Sequence, residues 1–360
     1  MKAQTLLLSC LTTLVGVVMN CSAIAQQPAF DTSRKADGKY LNQYITYSTS
    51  MGNIWDITKA YATTKRLAAT PRHIPMTDIT SDVLAQTHDA IFRLGHSSQL
   101  LRLDGKYVLT DPVFSERASL VQWAGPKRFH PMPLTLDALP KISAVVLSHD
   151  HYDHLDRQTL EALNEKTSYF VVPLGLSKHL SDIVDNEKII ERDWWQSIVL
   201  DDIEYVATPA QHFSGRGLFD RDETLWASWV INSKQRKVFF SGDSGYFPGF
   251  KQIGDRYGPF DITMVETGAY NDLWSEIHMS PEESVQAHVD LQGKYMLPIH
   301  NSTFDLALHD WFEPLERALS ASIQHNTKML SPIFGQAISF DDLSLDNAQQ
   351  YQQSWWLQAQ

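Results

Sequence analysis

The chain is 360 residues long, enough for one large domain or two ordinary ones around a sizeable buried core. Its apolar content of 43% is that of a globular protein, and a formal charge of −12 with no lysine-arginine run longer than a pair argues against a nucleic-acid duplex as partner. The 2 cysteines, Cys10 and Cys21, both lie near the amino terminus.

Residues 1–25 read as an export signal: Lys2 gives a short positive end, Leu6 to Met19 is mostly apolar, and Ala23-Ile24-Ala25 offers small residues for cleavage before Gln26. An uncleaved anchor is the weaker alternative, because Ser9, Cys10, Thr12 and Thr13 interrupt a run already short for a membrane span. A lipoprotein is weaker still, since Cys10 leaves little apolar core before it and Cys21 follows Asn20. Cleavage near Ala25 predicts a periplasmic or secreted protein whose mature chain has no disulfide and no thiolate ligand. Any metal must then be held by histidine and carboxylate.

Residues 26–89 are polar and aromatic, with Tyr40, Tyr44, Tyr47, Trp55 and Tyr61, and predict an extended N-terminal arm with short helices packed on the core. Covering one edge of the core is its expected role; covering an active site is the alternative. Strand patterns begin at Ala90-Ile91-Phe92-Arg93-Leu94 and continue through Gln99 to Leu103 and Lys106 to Thr110, with Asp104-Gly105 marking a hairpin turn. A proline-rich stretch, 122–140, reads as loop. Strands are expected at 142–147, 169–173, 203–208, 227–231, 238–241, 262–266 and 296–299, with helical sequence at 157–163 and 175–180. Ser280-Pro281-Glu282-Glu283 supplies a cap residue, a first-turn proline and a glutamate that reaches back, opening a helix to about Leu291. No repeat or linker interrupts 90–340, which predicts one continuous catalytic domain followed by a tail at 341–360. Trp355 and Trp356 in that tail are expected to dock on the protein's own surface, with a peripheral membrane contact as the alternative.

Chemistry concentrates in Leu147-Ser148-His149-Asp150-His151-Tyr152-Asp153-His154-Leu155-Asp156, on the loop between a strand and a helix, where α/β folds place their sites. Three histidines and three aspartates at such spacing are costly without a cation, and imidazole with carboxylate suits zinc, manganese or iron. His212, Asp243 and His300 each sit just past a later strand and extend the set to seven: His149, His151, Asp153, His154, His212, Asp243 and His300. Asp150 and Asp156 are expected to orient the loop, and His96 reads equally as a site-edge residue or a core histidine. Arg216 and Arg221 are candidates to pair with a phosphate, though exposed loop charges are the commoner outcome.

These residues resemble the metallo-β-lactamase superfamily and, within it, the N-acylphosphatidylethanolamine-hydrolysing phospholipase D group and its bacterial relatives. The resemblance runs from about 90 to 315. It rests on Leu94-Gly95-His96-Ser97-Ser98, Leu109 to Ser119, Gly125-Pro126-Lys127-Arg128-Phe129, His151 to Asp156, Pro209-Ala210-Gln211-His212, Gly242-Asp243-Ser244-Gly245-Tyr246 and Gly258-Pro259-Phe260-Asp261. It implies an α/β fold, the four-layer αββα metallo-β-lactamase sandwich, with a dinuclear site on loops at one edge of two sheets. His149, His151 and His212 would hold one ion, Asp153, His154 and His300 the other, with Asp243 bridging. The cofactors implied are two divalent ions, zinc first, manganese or iron as alternatives. Asp153, Asp243 and His278 would be catalytic, His278 by giving a proton to the leaving oxygen or by holding substrate. Asp111 matches the group's Asp-Pro turn and is expected to support the ligand loops.

The activity implied is a phosphodiesterase of the phospholipase D type that uses a hydroxide bridging two metal ions on a small-molecule or lipid-like ester. Alternatives are a lactonase or β-lactam hydrolase at the same centre, or a non-catalytic envelope binding protein. Asn301 and Glu266 depart from the group's pattern near the expected pocket, and Phe213, Phe219, Tyr246, Phe247, Tyr270 and Trp274 are candidates for an apolar wall.

Overall fold

The computed structural model describes residues 32–47, 51–345 and 347–359; the export signal expected at 1–25 lies outside them. In the arm, β1 (Arg34–Ala36) and β2 (Lys39–Leu41) form a hairpin across Asp37-Gly38, followed by α1 (Met51–Thr63) and α2 (Ser81–Gln86). The arm thus carries more regular structure than its sequence suggested, because two strands of three residues are too short for alternation to show.

The core opens with β3 (Ala90–Gly95), β4 (Ser98–Leu103) and β5 (Lys106–Thr110), an antiparallel meander. Its second turn is the expected Asp104-Gly105 pair, with φ of 48° and 77°, the left-handed pair that a two-residue hairpin requires. Next come β6 (Ile142–Val146), α3 (Arg157–Leu163), β7 (Thr167–Pro173), β8 (Ile189–Arg192), β9 (Ser197–Leu200), β10 (Ile203–Thr208), β11 (Ser228–Asn232) and β12 (Lys237–Phe240). After these follow α4 (Gly249–Tyr257), β13 (Phe260–Glu266), α5 (Pro281–Asp290), β14 (Gly293–Ile299), α6 (Glu313–Gln324), β15 (Ala337–Ser339), α7 (Phe340–Ser344) and α8 (Trp356–Ala359). The segment 175–180 holds a 3-10 turn at Leu176–His179 rather than an α-helix.

The strands assemble into two sheets, one in the order β15-β3-β4-β5-β6-β7-β8 and the other β14-β13-β12-β11-β10-β9. Alternation along each strand decides what packs where. Ile91, Leu101, Val108, Ala144 and Val146 of the first sheet meet Tyr205, Trp229, Val238, Phe240, Met264 and Leu297 of the second. The alternate residues Phe92, Leu100, Leu109, Val145 and Phe170 pack under Leu160 and Leu163 of α3. On the far side Val206, Val230, Phe239 and Val265 meet Phe250 and Ile253 of α4, Val285 of α5, and Leu315 and Ala318 of α6. The result is the four-layer αββα sandwich. Burial of this apolar surface, at about 25 cal/mol per Å² removed from water, is the main force joining the layers.

Helix α5 starts where its capping box predicts: Ser280 accepts from Glu283 N at 3.3 Å, and Glu283 Oε2 accepts from Ser280 N at 2.9 Å. Trp355 and Trp356 are buried on the protein's own surface, Trp355 against Trp311 and Phe334 with ring centroids 6.1 and 6.0 Å away. No helix among the described residues is long and apolar enough to cross a membrane.

On α5, His288 is 1% exposed, with Nδ1 2.7 Å from Thr263 Oγ1, and burial pushes it down to about 4. A lowered histidine contributes stability above its unfolded value of about 6.5 and loses it as pH falls toward the folded value. Thermal or urea unfolding should therefore show stability falling between those limits, by up to about 1.4 kcal/mol per pH unit from this ring. His288→Gln should flatten that part of the profile, and an unchanged slope would show that the ring is protonated in the folded state.

Candidate metal centre

Strands β10, β12 and β14 run parallel in one sheet and β5 and β6 run parallel in the other, so their exits carry the seven predicted residues to one edge of the sandwich. Two buried indoles fix two of the exits. Trp229 Nε1 donates to Leu147 O at 2.8 Å, and Trp226 Nε1 donates to Ala210 O at 3.0 Å. Gly242 precedes Asp243 with a φ of 57°, and a Cβ there would lie 2.4 Å from Ser148 Cβ, so only glycine lets the two ligand loops touch. His96 and His300 also adopt left-handed backbone, with φ of 51° and 62°. That conformation costs a non-glycine residue about 1–2 kcal/mol and here turns both rings inward.

The structure brings all seven residues together, with His96 as an eighth, in two groups, His149, His151, His212 and Asp243, and His96, Asp153, His154 and His300, with the donor atoms of each group within 4.8 Å of one another. In the first, His151 Nδ1 is 2.9 Å from His149 Nε2 and 3.3 Å from His212 Nε2. In the second, Asp153 Oδ2 lies 3.0, 3.2 and 3.5 Å from Nε2 of His96, His300 and His154. Asp243 stands between them: Oδ2 is 3.8 Å from both His149 and His212 Nε2 and 3.2 Å from His300 Nε2, while Oδ1 is 3.1 Å from His154 Nε2. His96 thereby joins the site. Its position just past β3 was the available signal, the same one that marked His212, Asp243 and His300.

Donor chemistry fits divalent cations. Burial, helped by neighbouring rings, holds His149 and His212 well below the usual imidazole range, so both present neutral lone pairs. Burial opposes charge on His300 as well, but Asp243 and the bonds to Asp153 and Asp243 outweigh it and push the ring up to about 10. Burial likewise opposes ionisation of Asp153 and Asp243, yet the adjoining histidines hold both well below the usual carboxylate range. Anionic carboxylates beside imidazole nitrogens are the donor set of zinc, manganese or iron. His154 Nε2 and Asp243 Oδ1 face each other at 3.1 Å, both buried and neither in an aligned hydrogen bond among the described residues, as atoms placed for coordination would be.

Outer hydrogen bonds select which nitrogen points inward. Asp111 Oδ2 takes His154 Nδ1 at 2.6 Å, Ser148 Oγ meets His149 Nδ1 at 2.9 Å, and Ile277 O accepts from His212 Nδ1 at 3.0 Å. Asp111 also accepts from Ser148 N at 2.7 Å, which ties the expected Asp-Pro turn to the ligand loop. The arm holds His212 too: its backbone N donates to Asn42 Oδ1 at 3.0 Å, and its carbonyl accepts from Asn42 Nδ2 at 2.8 Å.

Other candidates fall outside the centre. Asp150 accepts from Gly215 N and Thr224 Oγ1 at 2.8 and 2.9 Å, and Asp156 caps α3 and accepts from Ser115 N at 2.9 Å, so both shape loops. Arg216 is neither a phosphate ligand nor a free surface charge: it stacks 4.0 Å from the Tyr152 ring and donates to the carbonyls of Asp150 and Leu155. Arg221 lies over Phe213 at 4.5 Å and pairs with Asp222. Asn301 is buried and accepts from Arg93 Nη2 at 2.8 Å. Glu266 has a larger part than a departure from pattern suggested: it is fully buried, accepts from Ser244 N at 2.6 Å, and hydrogen-bonds His278 Nδ1. An acid at the end of a strand was its signal too.

The centre opens into a cleft of about 370 Å³ lined by Tyr47, Ile57, Tyr61, Phe213, Trp274 and Leu306, with His151, Asp153, Asp243, His278 and His300 on its polar side. Of the six aromatic residues expected in its wall, Phe213 and Trp274 are there. Phe247 packs in the core on Phe250, Tyr246 bonds Asp290, Tyr270 bonds Glu313 and Phe219 is exposed. The arm supplies the missing wall: Tyr61 stacks on Trp274 with centroids 6.4 Å apart and donates to Leu306 O at 3.0 Å.

Because Asp111 selects the inward nitrogen of His154, Asp111→Asn should weaken metal retention about 10–100-fold in competition with a chromophoric chelator. Unchanged retention would show that this ring is oriented by something else.

A family model of the beta-lactamase superfamily domain matches residues 106–301. An uncharacterized protein of Mycobacterium tuberculosis is 48% identical over 254 residues, 69% of this chain and 68% of that protein. The N-acyl-phosphatidylethanolamine-hydrolyzing phospholipase D 1 of Caenorhabditis elegans is 34% identical over 261 residues, 68% of this chain and 73% of that protein. Among solved structures, the metallo hydrolase Igni18 of Ignicoccus hospitalis matches with a TM-score of 0.54 at 21% identity, over 69% of this chain and 97% of that one. With its sandwich and its two donor groups, the chain belongs to the metallo-β-lactamase superfamily and is a metal-dependent hydrolase.

Proposed function

We propose that the chain is a phosphodiesterase of the phospholipase D type, acting on phospholipid-like esters at a two-zinc centre. In this reading His149, His151 and His212 hold one ion, Asp153, His154 and His300 the other, and Asp243 both. The observation that carries it is the split character of the cleft, an apolar wall from Tyr47, Ile57, Tyr61, Phe213, Trp274 and Leu306 meeting a floor of imidazole and carboxylate. An amphiphile matches such a shape, its apolar body against the wall and its anionic head at the floor. Similarity to the Caenorhabditis elegans phospholipase D over 261 residues supports the same substrate class.

Two cations bound there would acidify a shared water and offset charge on the phosphoryl oxygens. The chain's own residues do the rest. No lysine or arginine is among the described residues lining the cleft, so charge on the phosphoryl oxygens would be met by the cations rather than by a basic side chain. His278 lines the cleft with Nδ1 engaged by Glu266, leaving Nε2 as the nitrogen that can take a proton from the attacking water and pass it to the leaving alcohol oxygen. Tyr61 and Trp274 stack in the cleft wall and present apolar surface for the body of the substrate.

Metal-loaded protein assayed against bis(p-nitrophenyl) phosphate, N-acylated phosphatidylethanolamine vesicles and a lactone series should turn over the phosphodiesters. Asp243→Ala should abolish that turnover, and chelation should remove it until zinc is restored. Hydrolysis confined to lactones would move the assignment to a lactonase, and full activity in Asp243→Ala would remove the two-ion reading.

A further inference from the structure

We propose that Glu266 is a positioning residue that acts through His278, the two forming an imidazole–carboxylate dyad beside the metal centre. The inference rests on the reading in which His278 meets the substrate. Glu266 ends β13, and its carboxyl group joins two loops: one oxygen is hydrogen-bonded to His278 Nδ1, and the other accepts from Ser244 N at 2.6 Å, next to Asp243. Its main chain is fixed as well, its N donating to Ser241 Oγ at 2.9 Å and its O accepting from Ser284 Oγ at 2.5 Å, on α5. His278 lies on the loop that enters α5, and that loop is held from the same turn by Met279 N donating to Ser244 O at 3.2 Å.

Two consequences follow from this geometry. With the proton on Nδ1, this bond fixes the tautomer of His278 and aims Nε2 at the cleft, because a flipped ring would leave a fully buried oxygen of Glu266 without its partner. The same loop carries Ile277 O, which orients His212, so the dyad also keeps the spacing between His278 and the metal ligands. Glu266 belongs by distance to a donor group with Asp243, His278 and His300 that would itself suit an ion. Against that role, each of its oxygens is already hydrogen-bonded, and coordination by His278 Nδ1 would break that ring's bond to Glu266.

The test uses full-length, metal-loaded protein and three readouts. In ¹⁵N-histidine NMR, His278 should give a downfield Nδ1–H resonance, identified by its loss in His278→Ala and moved upfield in Glu266→Gln. On whichever ester the protein turns over, Glu266→Gln should lower kcat about ten-fold with KM nearly unchanged and two ions retained. In a His278→Ala background the same change should add less than about two-fold, since a residue acting only through His278 has nothing left to orient. Additive losses, a lost ion, or unchanged kcat and resonance in Glu266→Gln would each overturn the dyad. Should that variant not fold, Glu266→Asp, one methylene short, replaces it and must shift the resonance while keeping both ions. A failure to hydrolyse any phosphodiester would refute the proposed reaction, while the NMR and metal readouts would still decide the dyad.

Discussion

Imidazoles and carboxylates held out of water, with donor atoms of each group within 4.8 Å of one another, are the constraint on which this structure depends. An ionised carboxylate removed from water carries a large desolvation cost unless a cation or several donors answer it. Here His154 and His300 answer it, being driven to hold protons between Asp153 and Asp243 against their own burial. Those protons mark where positive charge belongs. Metal binding would release them, coupling ion affinity to pH.

Holding such a cluster takes rigid strand exits and a second set of hydrogen bonds behind each ring. The indoles of Trp226 and Trp229 clamp the carbonyls from which two ligand loops depart. Asp111, Ser148 and Ile277 then decide which nitrogen of His154, His149 and His212 faces inward. The arm packs on the core through Ile74, Ile79 and Leu84 and also belongs to this design, since Asn42 brackets the backbone of His212 and Tyr61 stacks on Trp274 in the cleft wall. Backbone strain at His96 and His300 is tolerated because the packed sheets on either side hold it.

Much of this was legible from residue pattern. Strand exits ending in histidine or aspartate picked out the residues that the structure gathers into two donor groups, and the Ser280 box located α5 to within a residue. What escaped has physical reasons. Strands β8, β9 and β15 are three or four residues long and partly exposed, too short for a period to emerge. Helix α6 buries Leu315, Ala318, Ala321 and Ser322, a stripe whose small residues carry little hydrophobic signal. Glu266 stood out only as an acid where an apolar residue was expected, because its partners Ser244 and His278 are brought to it by tertiary structure. The aromatic wall was misassigned for the same reason: Tyr246, Phe247 and Tyr270 are near the ligands in sequence, whereas Tyr47, Ile57 and Tyr61 reach the cleft from far away in the chain.

The most direct measurement of the central claim is an anomalous difference map from crystals of the metal-loaded protein, collected at the absorption edge of the bound metal. The account predicts two peaks about 3.5–4 Å apart, one beside His149, His151 and His212, the other beside Asp153, His154 and His300, with Asp243 touching both. A single peak, or none within this cluster, would contradict it.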